Sequence, residues 1–142
     1  MIWIDHNVPS LKNSKVKTSR GIFMSKTVKK YLQKLGIAKY SSSRKEVIDY
    51  KTKENLFTPI ADKLKEELKN KKYPYKIGFH FVRGSRHSFD FHNAVQILAD
   101  LMVAYDVLED DDMNHFIPVP FKINGNYYSY DKEKPGVYIK IY

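Results

Sequence analysis

The fold is decided by residues 90–105, which read DFHNAVQILADLMVAY. Apolar side chains recur there every three or four positions, from Phe91 to Tyr105, and this spacing predicts an amphipathic helix packed on a core. Asp90 directly precedes the apolar row. An acid in that position most often caps the helix, which stabilises it by about 0.5–2 kcal/mol.

Strands are predicted on both sides of this helix. Before it, residues 75–82 alternate so that four apolar or aromatic side chains share one face. After it, residues 116–123 and 136–142 are predicted as closing strands, joined by a hairpin-like segment. The other predicted elements are strands over 1–5 and 21–24, a helix ending near Gly36, a loop over 38–52 and a helix from near Thr58. This order predicts one α/β (α+β) domain with a mixed sheet over residues 1–142.

The composition excludes several kinds of site. The chain has no cysteine, so it has no disulfide, no zinc site on thiolates and no thiol nucleophile. No run approaches the roughly 20 apolar residues of a membrane span, and the first residues lack the apolar run of a signal peptide. We therefore expect a cytoplasmic protein with no membrane partner.

Charge is distributed unevenly along the chain. Residues 1–89 contain 21 Lys and Arg against 7 Asp and Glu, whereas residues 90–142 contain 4 against 9. Lysines attract a polyanion, and clustered carboxylates can hold a divalent metal ion, so this distribution suits an enzyme that cleaves phosphodiesters. It equally suits lysines that keep a small domain soluble beside an acidic loop.

The acidic residues form two groups, Asp90 and the run Asp110–Asp112. A helix over about 91–105 separates its ends by roughly 20 Å. A shared metal site therefore requires a shorter helix, a chain that runs back along the helix, or a carboxylate from a partner subunit. Adjacent like charges repel one another, and a bound divalent cation relieves that repulsion.

Three segments carry a resemblance to a known family. Asp90-Phe91-His92-Asn93, the following helix and Leu108-Glu109-Asp110-Asp111 resemble the signature of the RusA family: Asp-x-Asp-Asn, a helix, then an Asp-Asp pair. The spacing matches without a gap. Residues 9–14 also resemble the N-terminal Pro-x-x-Lys-Asn-Ser segment of phage-borne RusA-like proteins. The resemblance implies a homodimeric endonuclease that resolves four-way (Holliday) DNA junctions in recombination and repair, with Mg²⁺ bound by three carboxylates.

The resemblance also implies roles for individual residues. The catalytic set is Asp90, His92, Asn93 and Asp111, and the metal set is Asp90, His92, Asp110 and Asp111. His92 stands where the family has its second aspartate, and Gln96 stands where it has a helix lysine. Imidazole suits Mn²⁺ better than Mg²⁺, or could serve as the base for the attacking water. Three outcomes stay open: a Mn²⁺-preferring nuclease, a weak nuclease, or a protein that binds branched or single-stranded DNA without cleaving it.

Cations and aromatic residues complete the predicted DNA contacts. The residues predicted to contact phosphates are Lys12, Lys15, Arg83 and Arg86. The tyrosines at 127, 128 and 130 could stack on unpaired bases, which would favour single-strand binding, or pack across a hairpin or dimer interface.

Overall fold

The computed structural model describes residues 1–10, 15–18, 21–51 and 53–142, with the side chains of all of these except 15–18 and 21–24. The elements in chain order are β1 (Ile2–Asp5), β2 (Lys15–Thr18), β3 (Gly21–Met24), α1 (Lys26–Lys34), β4 (Ile37–Ser41), β5 (Glu46–Asp49), α2 (Phe57–Leu68), β6 (Tyr75–Arg83), α3 (Phe91–Ala104), β7 (Phe116–Pro120), β8 (Tyr128–Tyr130) and β9 (Gly136–Ile141). Within these ranges, no helix is both long enough and apolar enough to cross a membrane.

A mixed sheet in the order β1-β9-β6-β7 forms the centre of the fold. Strand β6 pairs antiparallel with β9, and parallel with β7 along its first half and with β8 at its last three residues. The predicted α+β class with a mixed sheet is confirmed. The segment between β7 and β9 is not a hairpin, because β7 and β9 lie on opposite sides of β6 and the segment supplies β8.

The core lies between one face of the sheet and the helices. Ile77, Phe79 and Phe81 alternate along β6 and are buried, as the sequence pattern predicts. The rings of Phe79 and Phe81 meet the ring of Phe91, the first residue of α3, at 6.5 and 5.8 Å between centroids. Burying one such side chain contributes about 1.5–3 kcal/mol, so this contact fixes the start of α3 on the end of β6.

Two helix starts follow from their capping residues. Ser25 precedes α1, and its hydroxyl accepts a hydrogen bond from the backbone amide of Val28 at 3.3 Å. Asn55 accepts bonds from the amides of Phe57 and Thr58 at the start of α2. Pro59 then falls within the first turn, where its missing N–H removes no helical bond. The predicted start near Thr58 is confirmed.

The predicted loop over 38–52 is wrong, because this segment contains the antiparallel pair β4–β5. Most of its described side chains are exposed, and among residues 38–51 only Tyr40 and Val47 pack against the core. A hairpin with so few inward apolar positions shows no clear alternation in its sequence. Strand β4 lies beside α3, which places the hairpin next to the acidic residues.

Candidate functional site

Three of the catalytic residues predicted from the sequence, Asp90, His92 and Asn93, lie along one side of α3. The residues of this side, here called the polar face of α3, are exposed or half-buried, whereas positions 94, 95 and 97–99 between them are buried. Residues three and four apart are neighbours on a helix surface. The polar face comprises Asp90, His92, Asn93, Gln96 and Asp100.

Asp90 caps α3. Its carboxylate accepts a hydrogen bond of 2.9 Å from the backbone amide of His92, and its own backbone is extended. A negative charge at this end is also favoured by the helix dipole. Asp90 therefore has the structural role that its position predicts, and the carboxylate is exposed to solvent at the same time.

Gln96 joins two carboxylates in the middle of the polar face. Its side-chain nitrogen Nε2 donates a bond of 2.9 Å to Asp100 Oδ1 and a bond of 2.8 Å to Asp111 Oδ2. Both bonds end on the same nitrogen, so the two oxygens are close neighbours. The amide thus holds Asp111 against α3 and lies between two negative charges.

The chain after α3 runs back along the helix, which is one of the three arrangements that a shared site would need. Val107 and Leu108 are buried, and the amides of both bond to Met102 O. They form a turn against the helix. Asp111 reaches the level of Gln96, so about 9 Å along the helix axis still separates it from Asp90.

An acidic cleft of about 350 Å³ opens where the β4–β5 hairpin faces the end of α3. Lys45 brings a cation to this cleft and pairs with Asp106 at 3.3 Å. The residues that line the cleft are Ser42, Ser43, Lys45, Asp100, Val103, Glu109, Asp110 and Asp111.

Within the acidic run, the neighbouring aspartates bond to different partners. Asp110 Oδ1 accepts a bond of 2.7 Å from the amide of Asp111. Asp112 Oδ1 accepts bonds from His115 Nδ1 at 2.6 Å and from the amide of Asn114. The hydrogen bond between Asp112 and His115 lowers the pKa of Asp112 and raises the pKa of His115. These bonds relieve part of the repulsion in the run without a cation.

A second, open depression of about 620 Å³ lies at the start of α3, and Ser10, Ser88, Phe89, Asp90 and Asn93 line it. The N-terminal segment is fixed there by two bonds to the end of β6. Asn7 Oδ1 accepts a bond of 2.9 Å from the Gly84 amide, and Arg83 Nη1 donates to Val8 O. Ser10 and Asp90 thus line the same depression.

The predicted metal set is not gathered in one place. Asp90 belongs to the open depression, whereas Asp110 and Asp111 belong to the acidic cleft. Across the residues that the structure describes, no group of three Asp, Glu or His side chains is close enough to hold a metal ion. His92 is exposed, and its ring meets Phe91 edge-on at 5.7 Å. As placed, these residues do not fit the three-ligand Mg²⁺ site that the resemblance implies.

The four cations predicted to contact phosphates differ in where they lie and in how far the structure describes them. Arg83 is only 8 % exposed; its guanidinium bonds to Val8 O and lies 4.7 Å from the ring of Phe89. This burial corrects the predicted phosphate contact to a structural one. Arg86 is exposed, with its guanidinium 4.5 Å from the ring of Tyr130. Lys15 lies in β2 with its side chain outside the described part, and Lys12 lies outside the described residues.

One buried polar pair was missed from the sequence. His80 is fully buried; its Nδ1 lies 3.0 Å from Phe121 O and its Nε2 lies 2.6 Å from Ser129 Oγ. His80 stands between Phe79 and Phe81 in a continuous hydrophobic run. Such a run is typical of a strand buried on both faces, and this was the available signal. The pair holds the middle residue of β8 against β6.

The site thus combines the polar face of α3, with Asp90 as the cap of the helix, and neighbouring aromatic and basic side chains, on an α+β fold. No family model, curated protein or solved structure matches this chain.

Proposed function

We propose that this chain is a RusA-like protein that binds and cleaves branched DNA, as a divalent-metal-dependent endonuclease. The observation that carries this proposal is the contact between Gln96 and Asp111. Through it, Asp111, from the second half of the sequence pattern, lies against the helix that Asp90, from the first half, caps. The spacing from Asp90 to Asp111 is the spacing of the RusA-like signature.

The charge of the protein supports a nucleic acid as the partner. The net charge is +9, and the lysines of α1 and α2 are exposed. Exposed lysines bind phosphates and release the counterions condensed on DNA, so affinity should fall steeply with salt. A four-way junction is two-fold symmetric, which favours a two-fold dimer of the protein.

The chain's own residues have distinct roles under this proposal. Asp90 supplies a carboxylate at the start of α3, with Asn93 one turn further along the same helix face, and Asp111 supplies a second carboxylate in the acidic cleft. His92 is an exposed side chain on this face that can accept a proton from water. Arg86 supplies an exposed cation near the start of α3, where it can offset phosphoryl charge.

Binding of branched DNA without cleavage is the second candidate function. Gln96 favours it, because its amide already bonds to both Asp100 and Asp111 and Asp90 lies in a different depression. A protein of this kind would hold a junction through its cations and leave the strands intact.

The test is incubation of a labelled four-way junction with the protein in Mg²⁺ and, separately, in Mn²⁺. The variants are Asp90→Asn and Asp111→Asn, and the control is Asp62→Asn, an exposed acid on α2. Paired symmetric nicks that both site variants abolish, and the control does not, would support the nuclease. Junction binding in a gel-shift assay without any nicks would support the second candidate. No preference for junctions over duplex DNA would contradict both.

A further inference from the structure

Two exposed tyrosines lie at the sheet edge beside the start of α3. Strand β8 pairs with β6 on one side, through Phe81↔Tyr128 and Arg83↔Tyr130. Tyr128 is 55 % exposed and Tyr130 is 41 % exposed. Side chains two residues apart on a strand point to the same face and lie roughly 7 Å apart. The two rings therefore share one face of the edge.

The exposure of these rings follows from how β8 is held. The residue between them, Ser129, turns to the opposite face and bonds to the buried His80 at 2.6 Å. Backbone pairing to the last residues of β6 fixes the strand from the side. Since side chains alternate along a strand, anchoring Ser129 on the face of His80 places Tyr128 and Tyr130 on the other face, the face on which Phe81 meets the start of α3. Their position is thus set by a buried contact and does not depend on a partner.

One cation, Arg86, and one further ring, that of Phe89, adjoin the tyrosines. Arg86 lies 4.5 Å from the ring of Tyr130, and Phe89 meets Tyr128 edge-on at 5.1 Å. Phe89 is the residue directly before Asp90 and lines the same depression. The edge formed by Arg86, Phe89, Tyr128 and Tyr130, here called the aromatic edge, therefore adjoins the candidate site.

We propose that the aromatic edge binds unpaired nucleobases of branched DNA next to Asp90. Proteins that bind single strands combine aromatic rings, on which bases stack, with cations that contact the backbone. The aromatic edge has both, and its cation complements the charge of the phosphates. In a fully paired duplex the bases are stacked on one another, so the edge recognises DNA whose bases are open. This inference rests on the proposed function, because it states which part of the branched DNA the protein contacts.

The experiment uses two junctions labelled with 2-aminopurine, one with unpaired bases at the branch point and one fully paired. The variants are the double substitutions Tyr128→Ala/Tyr130→Ala and Tyr128→Phe/Tyr130→Phe, with Tyr142→Ala as the control. Tyr142 is also exposed and lies near two lysines, on another part of the sheet. Far-UV circular dichroism and urea unfolding verify that each variant is folded.

We expect the alanine pair to bind the open junction roughly tenfold or more weakly, since one stacked base contributes about 1–3 kcal/mol. The fluorescence change of 2-aminopurine on binding should disappear as well. The phenylalanine pair, which keeps the rings, and the Tyr142 control should bind like the original protein. If the alanine pair bound the open junction with the same affinity and the same fluorescence change as the original protein, the proposed role of the aromatic edge would be wrong. The proposed function would not be affected by that result. Failure of the original protein to bind either junction would overturn the proposed function itself.

Discussion

Gln96 and Asp111 are fifteen residues apart in the sequence, and a hydrogen bond of 2.8 Å joins their side chains. The same nitrogen of Gln96 bonds to Asp100, so one neutral amide lies between two negative charges. This arrangement holds Asp111 close to Asp100, and both of these aspartates line the acidic cleft.

Changing the charge at position 96 should change stability in a defined order. We expect Gln96→Lys to raise the free energy of unfolding by a few tenths of a kcal/mol, because a lysine pairs with Asp100 and Asp111. Gln96→Glu should lower it by about 1 kcal/mol, through a lost hydrogen bond and added repulsion. Urea unfolding measures both. The matched control is Gln33, an exposed glutamine on α1 among lysines. At this position the glutamate variant should be more stable than the lysine variant. The same order at both positions would contradict the contact.

Asp90 should show separable structural and chemical roles. Asp90→Ala removes the cap of α3 and should lower the free energy of unfolding by about 1 kcal/mol. Asp90→Asn keeps a side-chain oxygen for the amide of His92, so stability should stay nearly unchanged. Thermal or urea unfolding measures this, and Ser25→Ala, which removes the cap of α1, gives the reference loss. Equal losses in the two Asp90 variants would show that charge and not capping matters there.

Substituting the two arginines before α3 should have different effects, on stability at Arg83 and on DNA binding at Arg86. Arg83→Met should lower the free energy of unfolding by about 1.5–3 kcal/mol, because a buried charge-assisted bond to Val8 is lost. Arg86→Met should leave stability within about 0.5 kcal/mol. It should instead weaken DNA binding and reduce the slope of log affinity against log salt by about 1. Urea unfolding and binding at several salt concentrations measure these effects. An Arg83 variant with unchanged stability would contradict the structural role assigned to it.

The pair formed by Asp112 and His115 gives a pH-dependent prediction. Their hydrogen bond raises the pKa of His115 above 6.5 and lowers the pKa of Asp112 below 3.8. The contribution of His115 to stability is complete below pH 6.5 and is lost as the pH rises through its folded pKa. The contribution of Asp112 is complete above pH 3.8 and is lost on acidification. The pair therefore stabilises the fold most between about pH 4 and 6.5.

Nuclear magnetic resonance titration of the His115 ring tests this pair. In Asp112→Asn the pKa of His115 should fall, because the carboxylate that favours the charged imidazole is gone. The control is Asp5→Asn, at the opposite edge of the sheet, which should leave the pKa of His115 where it is. A His115 pKa that does not respond to Asp112→Asn would contradict the contact.

The main helix could be predicted from the sequence because α3 carries a complete apolar stripe, and Phe91, Leu98 and Leu101 occur at the expected spacing. Its capping residue followed from the same pattern. The β4–β5 hairpin could not be predicted, because a strand exposed on most positions has no alternation to detect. The strand β8 was missed because its signal is the hydrogen bond of the half-buried Ser129 to His80, and a serine between tyrosines indicates nothing by itself.

The site could be predicted only in part. The resemblance to the RusA signature predicts Asp90 and Asp111 as parts of one site, but the sequence does not determine how far apart they lie. That distance depends on the turn after α3, where Val107 and Leu108 bond to Met102. It also depends on a side-chain contact from Gln96, a residue whose position was noted only as a departure from the RusA-like pattern. Contacts of this kind arise from tertiary packing and leave no periodic trace.

Strand β6 connects three parts of the candidate site at its last residues. Its end bonds to the N-terminal segment through Gly84 and Asn7, pairs with β8, and packs against the first residue of α3. The start of α3 and the aromatic edge are therefore both anchored to a central strand of the sheet. Under the proposed function, such anchoring makes the nucleic acid the partner that must bend. Branches that deform easily should then be preferred over stiff ones of the same sequence.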